Sequence, residues 1–188
     1  MTHVITKSNT LSLTSFKLRQ NGKAVFINGD TVKALGKTEL YASWFAERTT
    51  GVTAEPTYTF TAASNGLATH ARHHVKEGDQ IRVSNSGGAL PTGLAASTDY
   101  FAVNVTDNSF GLAATPNGAS VIAGAGTGTH SYFIVGEVTV DWQDTDLATT
   151  GMRRLYINRY TGSEYDTFPV AQDGTHNPGF IINIVEPA

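Results

Sequence analysis

Short runs that alternate apolar and polar residues with a period of two recur along this chain, and Gly, Asn or Asp brackets them. "TELYASWFAE" (38–47) sets Leu40, Ala42 and Trp44 against Tyr41, Ser43 and Phe45. "GEVTVDW" (136–142) places Val138, Val140 and Trp142 on one face. "MRRLYINRY" (152–160) sets Leu155 and Ile157 against Arg154, Tyr156 and Asn158, and "GFIINIV" (179–185) aligns Phe180, Ile182 and Ile184. A period of two is the side-chain period of a β-strand, and no segment sustains the 3.6-residue pattern of a helix. Turn chemistry falls between the runs, at Asn21-Gly22, Asn28-Gly29-Asp30, Asn117-Gly118 and Asp173-Gly174. The reading is an all-β fold of sandwich or barrel modules.

Charge divides the chain. Between residues 56 and 133 it is carried only by Arg72, Lys76, Glu77, Asp79, Arg82, Asp99 and Asp107, amid Ala, Gly, Ser, Thr and Asn. The flanks hold the rest of the charge and both tryptophans, Trp44 and Trp142. A shift that begins and ends inside a chain suggests an insertion at an exposed turn. Residues 1–55 and 134–188 are therefore expected to form one discontinuous sandwich, and 56–133 an inserted β-module. A serial arrangement with a boundary near 134 is disfavoured, because 55 residues without disulfides make a poor independent core.

The 188 residues contain no cysteine, which removes disulfides, thiolate chemistry and Cys-built zinc sites. Net charge is −3, and Lys and Arg are scattered apart from Arg153, Arg154 and Arg159. Nucleic acid, which needs a concentrated basic face, is not expected as a partner. No charged leader followed by an apolar core opens the chain, and no apolar run reaches the ~20 residues of a membrane span. Synthesis in a cytoplasm without membrane insertion is expected.

Several stretches invite a chemical reading. "THARHHVKEGDQ" (69–80) sets His70, His73 and His74 within five positions. Three or four convergent ligands would make a zinc site. On a strand, however, His70 and His74 share a face and His73 points away, and the flanks do not support the helix that would gather all three. His130 could close a site with His74 only if the module's ends meet. The stretch is read as leading into a strand, with no metal assigned. "GKT" (36–38) lacks a glycine at position 31, which is Thr31, and sits in a strand, so it is no phosphate loop. Gly124 to Gly128 ("GAGTG") lacks nucleotide-loop spacing and reads as a turn or flexible linker. "DWQDTD" (141–146) lacks the EF-hand spacing and reads as a turn in which Asp144 and Asp146 bond nearby backbone N–H groups. No G-x-S-x-G elbow occurs, nothing singles out a carboxylate pair, and the tryptophans read as core. No catalytic, cofactor or metal residue is assigned.

The C-terminal segment, from Trp142 through the acidic turn at 144–146, Gly151, "RRLYINRY", "DTFP" (166–169) and "FIINIVEP", resembles the immunoglobulin-like N-terminal domain of phage baseplate upper proteins and related tail proteins. Read physically, the same residues let Tyr156, Tyr160 and Phe168 pack between two sheets with Trp142, and put Pro169 at a strand end or edge, since it cannot donate to a ladder. The middle segment is similar to a small β-module common in phage structural proteins. It matches at His74-Val75, Gly78-Asp79, Ile81, Leu90-Pro91, Gly93-Leu94, Tyr100, Val103, Phe110-Gly111-Leu112 and Gly126 to His130.

The resemblances imply an immunoglobulin-like sandwich with an inserted β-barrel or β-module, in a non-enzymatic virion structural protein of tail, baseplate or neck type. Its partners would be other virion proteins and copies of itself in a symmetric assembly, through edge strands and termini. A capsid decoration protein is a close variant. A receptor- or glycan-binding adhesin domain is the alternative, with Tyr160 and Tyr165 exposed beside the turn at Thr161 to Glu164. A cell-wall depolymerase would instead need a cleft with perturbed carboxylates.

Overall fold

The computed structural model describes residues 2–6, 13–20, 22–27, 29–38, 43–63, 65–143, 145–146, 148–169 and 180–185. Every helix or strand element among them is a strand, so the protein is all-β. In chain order the first strands are β1 (Thr2–Thr6), β2 (Leu13–Lys17), β3 (Arg19–Gln20), β4 (Lys23–Ala24), β5 (Thr31–Thr38), β6 (Ser43–Arg48) and β7 (Val52–Ala54). Six more follow: β8 (Tyr58–Ala62), β9 (Ala68–Thr69), β10 (Gln80–Ser86), β11 (Tyr100–Val103), β12 (Ser109–Ala113) and β13 (Thr129–Ile134). The last are β14 (Glu137–Asp141), β15 (Gly151–Thr161), β16 (Glu164–Phe168) and β17 (Phe180–Val185). The chain divides into two compact units, Met1–Ala54 with Gly136–Ala188, and Glu55–Val135.

The discontinuous unit has two main sheets. One runs β1-β17-β15-β5-β6, with β16 also paired to β15; the other runs β2-β14-β7. The β1–β17 pair is parallel and the remaining pairs are antiparallel. Val138, Val140 and Trp142 are buried as the alternation requires, and meet Ala34, Leu155, Ile157, Ile182 and Ile184 of the other sheet in one cluster. Burying such side chains, at roughly 1.5–3 kcal/mol each, is what holds the layers face to face. The opposite face of β14 is buried as well. Glu137 accepts a hydrogen bond from Ser15 of β2, and Thr139 donates to the Thr53 carbonyl of β7, so the central strand is lined by polar partners on both flanks.

Strand β6 departs from simple alternation. Its pairing with β5 sets Gly36 against Phe45 but Lys37 against Ser43, leaving Trp44 as an extra residue. This bulge turns both Trp44 and Phe45 toward the core, although alternation would separate them. Trp44 stacks on Trp142 with centroids 5.4 Å apart and planes 19° apart. Gly36 makes the room: a Cβ there would come within 2.5 Å of the Phe45 ring and 2.8 Å of Trp44. Leu40, Tyr41 and Ala42 of this expected run lie outside the described residues, as does the Asp173-Gly174 turn.

Phe168 is buried in the same cluster as Trp142, and Pro169 follows the end of β16 through a cis peptide bond. Contrary to the packing expected from the sequence, Tyr156 and Tyr160 do not lie between the sheets. They alternate with Leu155, Ile157 and Arg159, so the strand period puts them on the outer face.

The second unit is a closed barrel in the order β10-β11-β12-β9-β8-β13. Phe60, Ile81, Val83, Tyr100, Phe110, Leu112, Tyr132 and Ile134 fill it. Its long connections interlock at glycines. Gly93, at φ +94°, lies so close to the Val121 carbonyl that a Cβ would collide with it, and Gly128 packs its backbone against Ser86 and Gly87. Backbone bonds tie the same loops, from Ala123 N–H to the Thr92 carbonyl and from Thr127 N–H to the Ala89 carbonyl, each 2.8 Å. The Gly124–Gly128 stretch is thus a fastened turn. Urea denaturation tests both glycine requirements together. Gly36→Ala is expected to cost about 1–3 kcal/mol by overpacking, and Gly93→Ala at least about 3 kcal/mol, because backbone cannot move aside as a ring can.

Candidate functional site

The histidine-rich stretch is a connection and not a strand, since β9 ends at Thr69 and β10 begins at Gln80. The expected sharing of a strand face by His70 and His74 therefore does not apply. Gly78 turns the chain at φ +79°, and the buried Asp79 carboxylate accepts from the Lys76 N–H at 2.6 Å, so the strand starts only after this turn. The imidazoles pack on aromatic rings of the barrel. His70 lies 5.8 Å from Tyr58, His74 lies 5.9 Å from Tyr58, and His73 sets its ring edge to face against Phe110 at 5.1 Å. His70 Nδ1 is 2.7 Å from the Tyr132 hydroxyl.

Burial, followed by the charges of His73 and His74, pushes the His70 imidazole below its ordinary value. Among the described residues, no three His, Asp or Glu side chains are placed to hold a metal ion. His130 is engaged at both ring nitrogens, with Asn85 at 2.7 Å and the Ala125 carbonyl at 2.8 Å. It fastens the glycine turn to β13. An open cleft of about 700 Å³ lies beside it, with Thr59, Thr61, Thr69, His70, Thr129 and His130 among its lining residues.

A second polar array occupies the outer face of the six-stranded sheet. Register places Asn158 beside Lys33 of β5 and Thr167 of β16, while Tyr160 is opposite Tyr165. Glu47 of β6 reaches into this row. Its carboxylate accepts from Tyr160 Oη and Asn158 Nδ2, each at 2.6 Å, and from Lys33 Nζ at 3.2 Å. Thr167 Oγ1 donates to Asn158 Oδ1 at 2.8 Å. Lys33 Nζ also sits 4.2 Å from the Tyr160 ring centroid, within cation–π range. Tyr160 and Tyr165 stack at 5.2 Å and 27°.

The electrostatics of this row are mutually consistent. Burial alone would raise the Glu47 carboxyl, but hydrogen bonds from Tyr160, Asn158 and Lys33, with the Lys33 charge, outweigh it and hold the group below its usual value. The hydrogen bond to Glu47 raises Lys33, against a smaller opposing effect of burial. The same carboxylate raises Tyr160, through its hydrogen bond first, with burial adding. Lys33 and Glu47 are therefore charged, and Tyr160 neutral, near pH 7.

The remaining sequence candidates are dispersed. Arg153 donates to Thr149 Oγ1 at 2.9 Å and faces Trp44, while Arg159 pairs with Asp166 at 2.6 Å, so these two do not form one basic face. The 36–38 Gly-Lys-Thr ends β5. In the acidic turn, Asp146 is buried and accepts from the Gln143 N–H at 2.9 Å and Arg48 at 2.5 Å; Asp144 lies outside the described residues. Sequence reasoning found Tyr160 and Tyr165 but missed Lys33, Glu47, Asn158 and Thr167, which only strand register brings together. No family model, curated protein or solved structure matches the chain.

The lowered His70 value sets a direction for pH dependence. Folding binds this imidazole in its neutral form, so its contribution is present above the ordinary value of about 6.5 and is lost as pH falls through the lower folded value. Thermal melts from pH 7.5 down to 5 are expected to show the barrel weakening, and His70→Gln should flatten that slope. An unchanged slope in the variant would place the effect on other groups.

Proposed function

We propose that the chain is a non-enzymatic structural subunit of a bacteriophage virion, of tail, baseplate or neck type, which works by assembly and docking. The observation that carries this reading is the strand order of the discontinuous unit. Labelled by chain order, β17-β15-β5-β6 follows G-F-C-C′ and β2-β14-β7 follows B-E-D. We read that order as similar to that of a variable-type immunoglobulin-like sandwich. It supports the form implied by the phage resemblance, with the barrel carried between the D-like and E-like strands. Fold alone does not fix function, so the docking role rests on that resemblance and on the edges.

Among the described residues β1, β2, β6 and β7 each pair on one side only. Such edges suit strand addition by neighbouring subunits, which would be other virion proteins and copies of this chain. A capsid decoration protein would use the same edges. Light scattering behind size exclusion, with EDTA and with added zinc, tests this reading. A symmetric oligomer of constant mass is expected in both. A chain that stays monomeric across concentrations counts against self-assembly, and a mass that changes with zinc counts against a metal-free role.

One observation favours a second reading, a receptor- or glycan-binding adhesin domain. Tyr165 is 60% exposed, and it is the exposed large apolar side chain among the described residues. It sits on the β15–β16 hairpin, where a binding module would display it.

A further inference from the structure

We infer that Lys33 and Asn158 are the reactants of an intramolecular amide bond, formed by the folded chain itself with Glu47 as its acid–base catalyst. The Lys33 amine and the Asn158 carboxamide belong to adjacent strands, β5 and β15, and are direct cross-strand partners. Such partners carry their Cβ atoms about 4.5–5.5 Å apart. One carboxylate bridges the two reacting nitrogens. Glu47 Oε2 is 3.2 Å from Lys33 Nζ, and Glu47 Oε1 is 2.6 Å from Asn158 Nδ2. An ionised carboxylate only accepts, so the nitrogen end of the carboxamide faces it. The oxygen end, Asn158 Oδ1, accepts from Thr167 Oγ1 at 2.8 Å. Asn158 is buried, which shields its carbonyl from water, the competing nucleophile. Aminolysis of an amide needs an amine, a carbonyl, a proton carrier touching both nitrogens and a donor on the carbonyl oxygen. All four meet here.

The step balances within these side chains. Lys33 Nζ gives a proton to Glu47 and attacks Asn158 Cγ, and the Thr167 hydroxyl steadies the oxygen that takes up the electron pair. Glu47 passes the proton to Nδ2, the Cγ–Nδ2 bond breaks, and that nitrogen leaves as ammonia. Nζ releases a second proton, through Glu47, to the departing ammonia. An ammonium and a carboxamide have become an amide and a free ammonium ion, and Glu47 ends ionised as it began. The step needs no oxidant. The Glu47 contact also holds Lys33 in its charged form at rest, so the attacking amine is scarce and the bond forms slowly. The sheet offsets this by keeping the reactants side by side. In a chain without cysteine, such a bond ties β5 to β15 where no disulfide is available, and it does so under either reading of the function.

Intact-mass spectrometry of the full chain, fresh and after prolonged incubation at neutral pH, tests the bond, with a tryptic map to place it. A mass one ammonia below that of the sequence is expected, growing in share with incubation. The map should join the peptide holding Lys33 to the one holding Asn158, with no cleavage after Lys33. Lys33→Arg keeps a cation beside Glu47 but supplies no neutral amine, and Glu47→Gln removes the proton carrier. Both are expected to show the full sequence mass, and a parental circular-dichroism spectrum separates loss of the bond from loss of the fold. Should Glu47→Gln fail to fold, Lys33→Arg still decides. The full sequence mass in the incubated parent overturns the proposal. So does an ammonia loss that maps to a succinimide at an Asn-Gly pair such as Asn117-Gly118. A Lys33–Asn158 link that forms at an unchanged rate in Glu47→Gln overturns the role of Glu47.

Discussion

The stack of Trp44 on Trp142 is the contact on which the discontinuous unit depends, because it joins the two sheets with one indole from each. Trp142 follows β14 of the smaller sheet and donates its indole N–H to Thr14 of β2 at 2.8 Å. Trp44 comes from β6 of the larger sheet and donates to the Asp146 carbonyl at 2.8 Å. Trp142 is buried and Trp44 partly so, and each indole satisfies its one donor, which is the condition for placing tryptophan at a core. The pair can form only because β6 bulges at Trp44 and because position 36 has no side chain. The acidic turn belongs to the same assembly. Asp146 supplies the carbonyl for Trp44 and the carboxylate for Arg48, and Arg48 in turn lies 4.7 Å from the Phe45 ring.

The barrel is built on the opposite economy of side chains. Its closure leaves no edge in the strand circuit, and the interlocking of its long connections relies on glycines that let backbone touch backbone. Within this unit Arg82 of β10 pairs with Asp99 in the approach to β11.

What could be read from the chain followed from period and turn chemistry. The alternations at 136–142, 152–160 and 179–185 placed Val138, Val140, Leu155, Ile157, Ile182 and Ile184 correctly in one core, since a strand has only two faces to choose between. Alternation failed at Trp44 and Phe45, where one bulged residue reset the phase. The histidine stretch does lead into β10, but proximity in sequence says nothing about what a connection packs against; its partners Tyr58, Phe110 and Tyr132 lie on three different strands. The outer-face row was the least legible. Glu47 and Asn158 are hydrogen-bonded but 111 residues apart, and the bulges between β5 and β6 move the register that would align them. Tyr160 and Tyr165 could be found because a short hairpin makes its own register visible.

Ala54, at the end of β7, is the cross-strand partner of Val138 in β14, although the whole Glu55–Val135 unit lies between them in the chain. In an unfolded chain, closing a loop of roughly eighty residues costs entropy that grows with the logarithm of its length. A folded barrel removes most of that cost, because its first and last strands are neighbours and Tyr58 pairs with Tyr132. The barrel then acts on the sandwich as a short, stiff connector. Coupling between the two is reciprocal: a folded barrel shortens the loop that the β7–β14 pair must close, and that pair, once formed, holds the ends of the barrel segment together. Damage in either unit is therefore felt in the other as a lengthened tether.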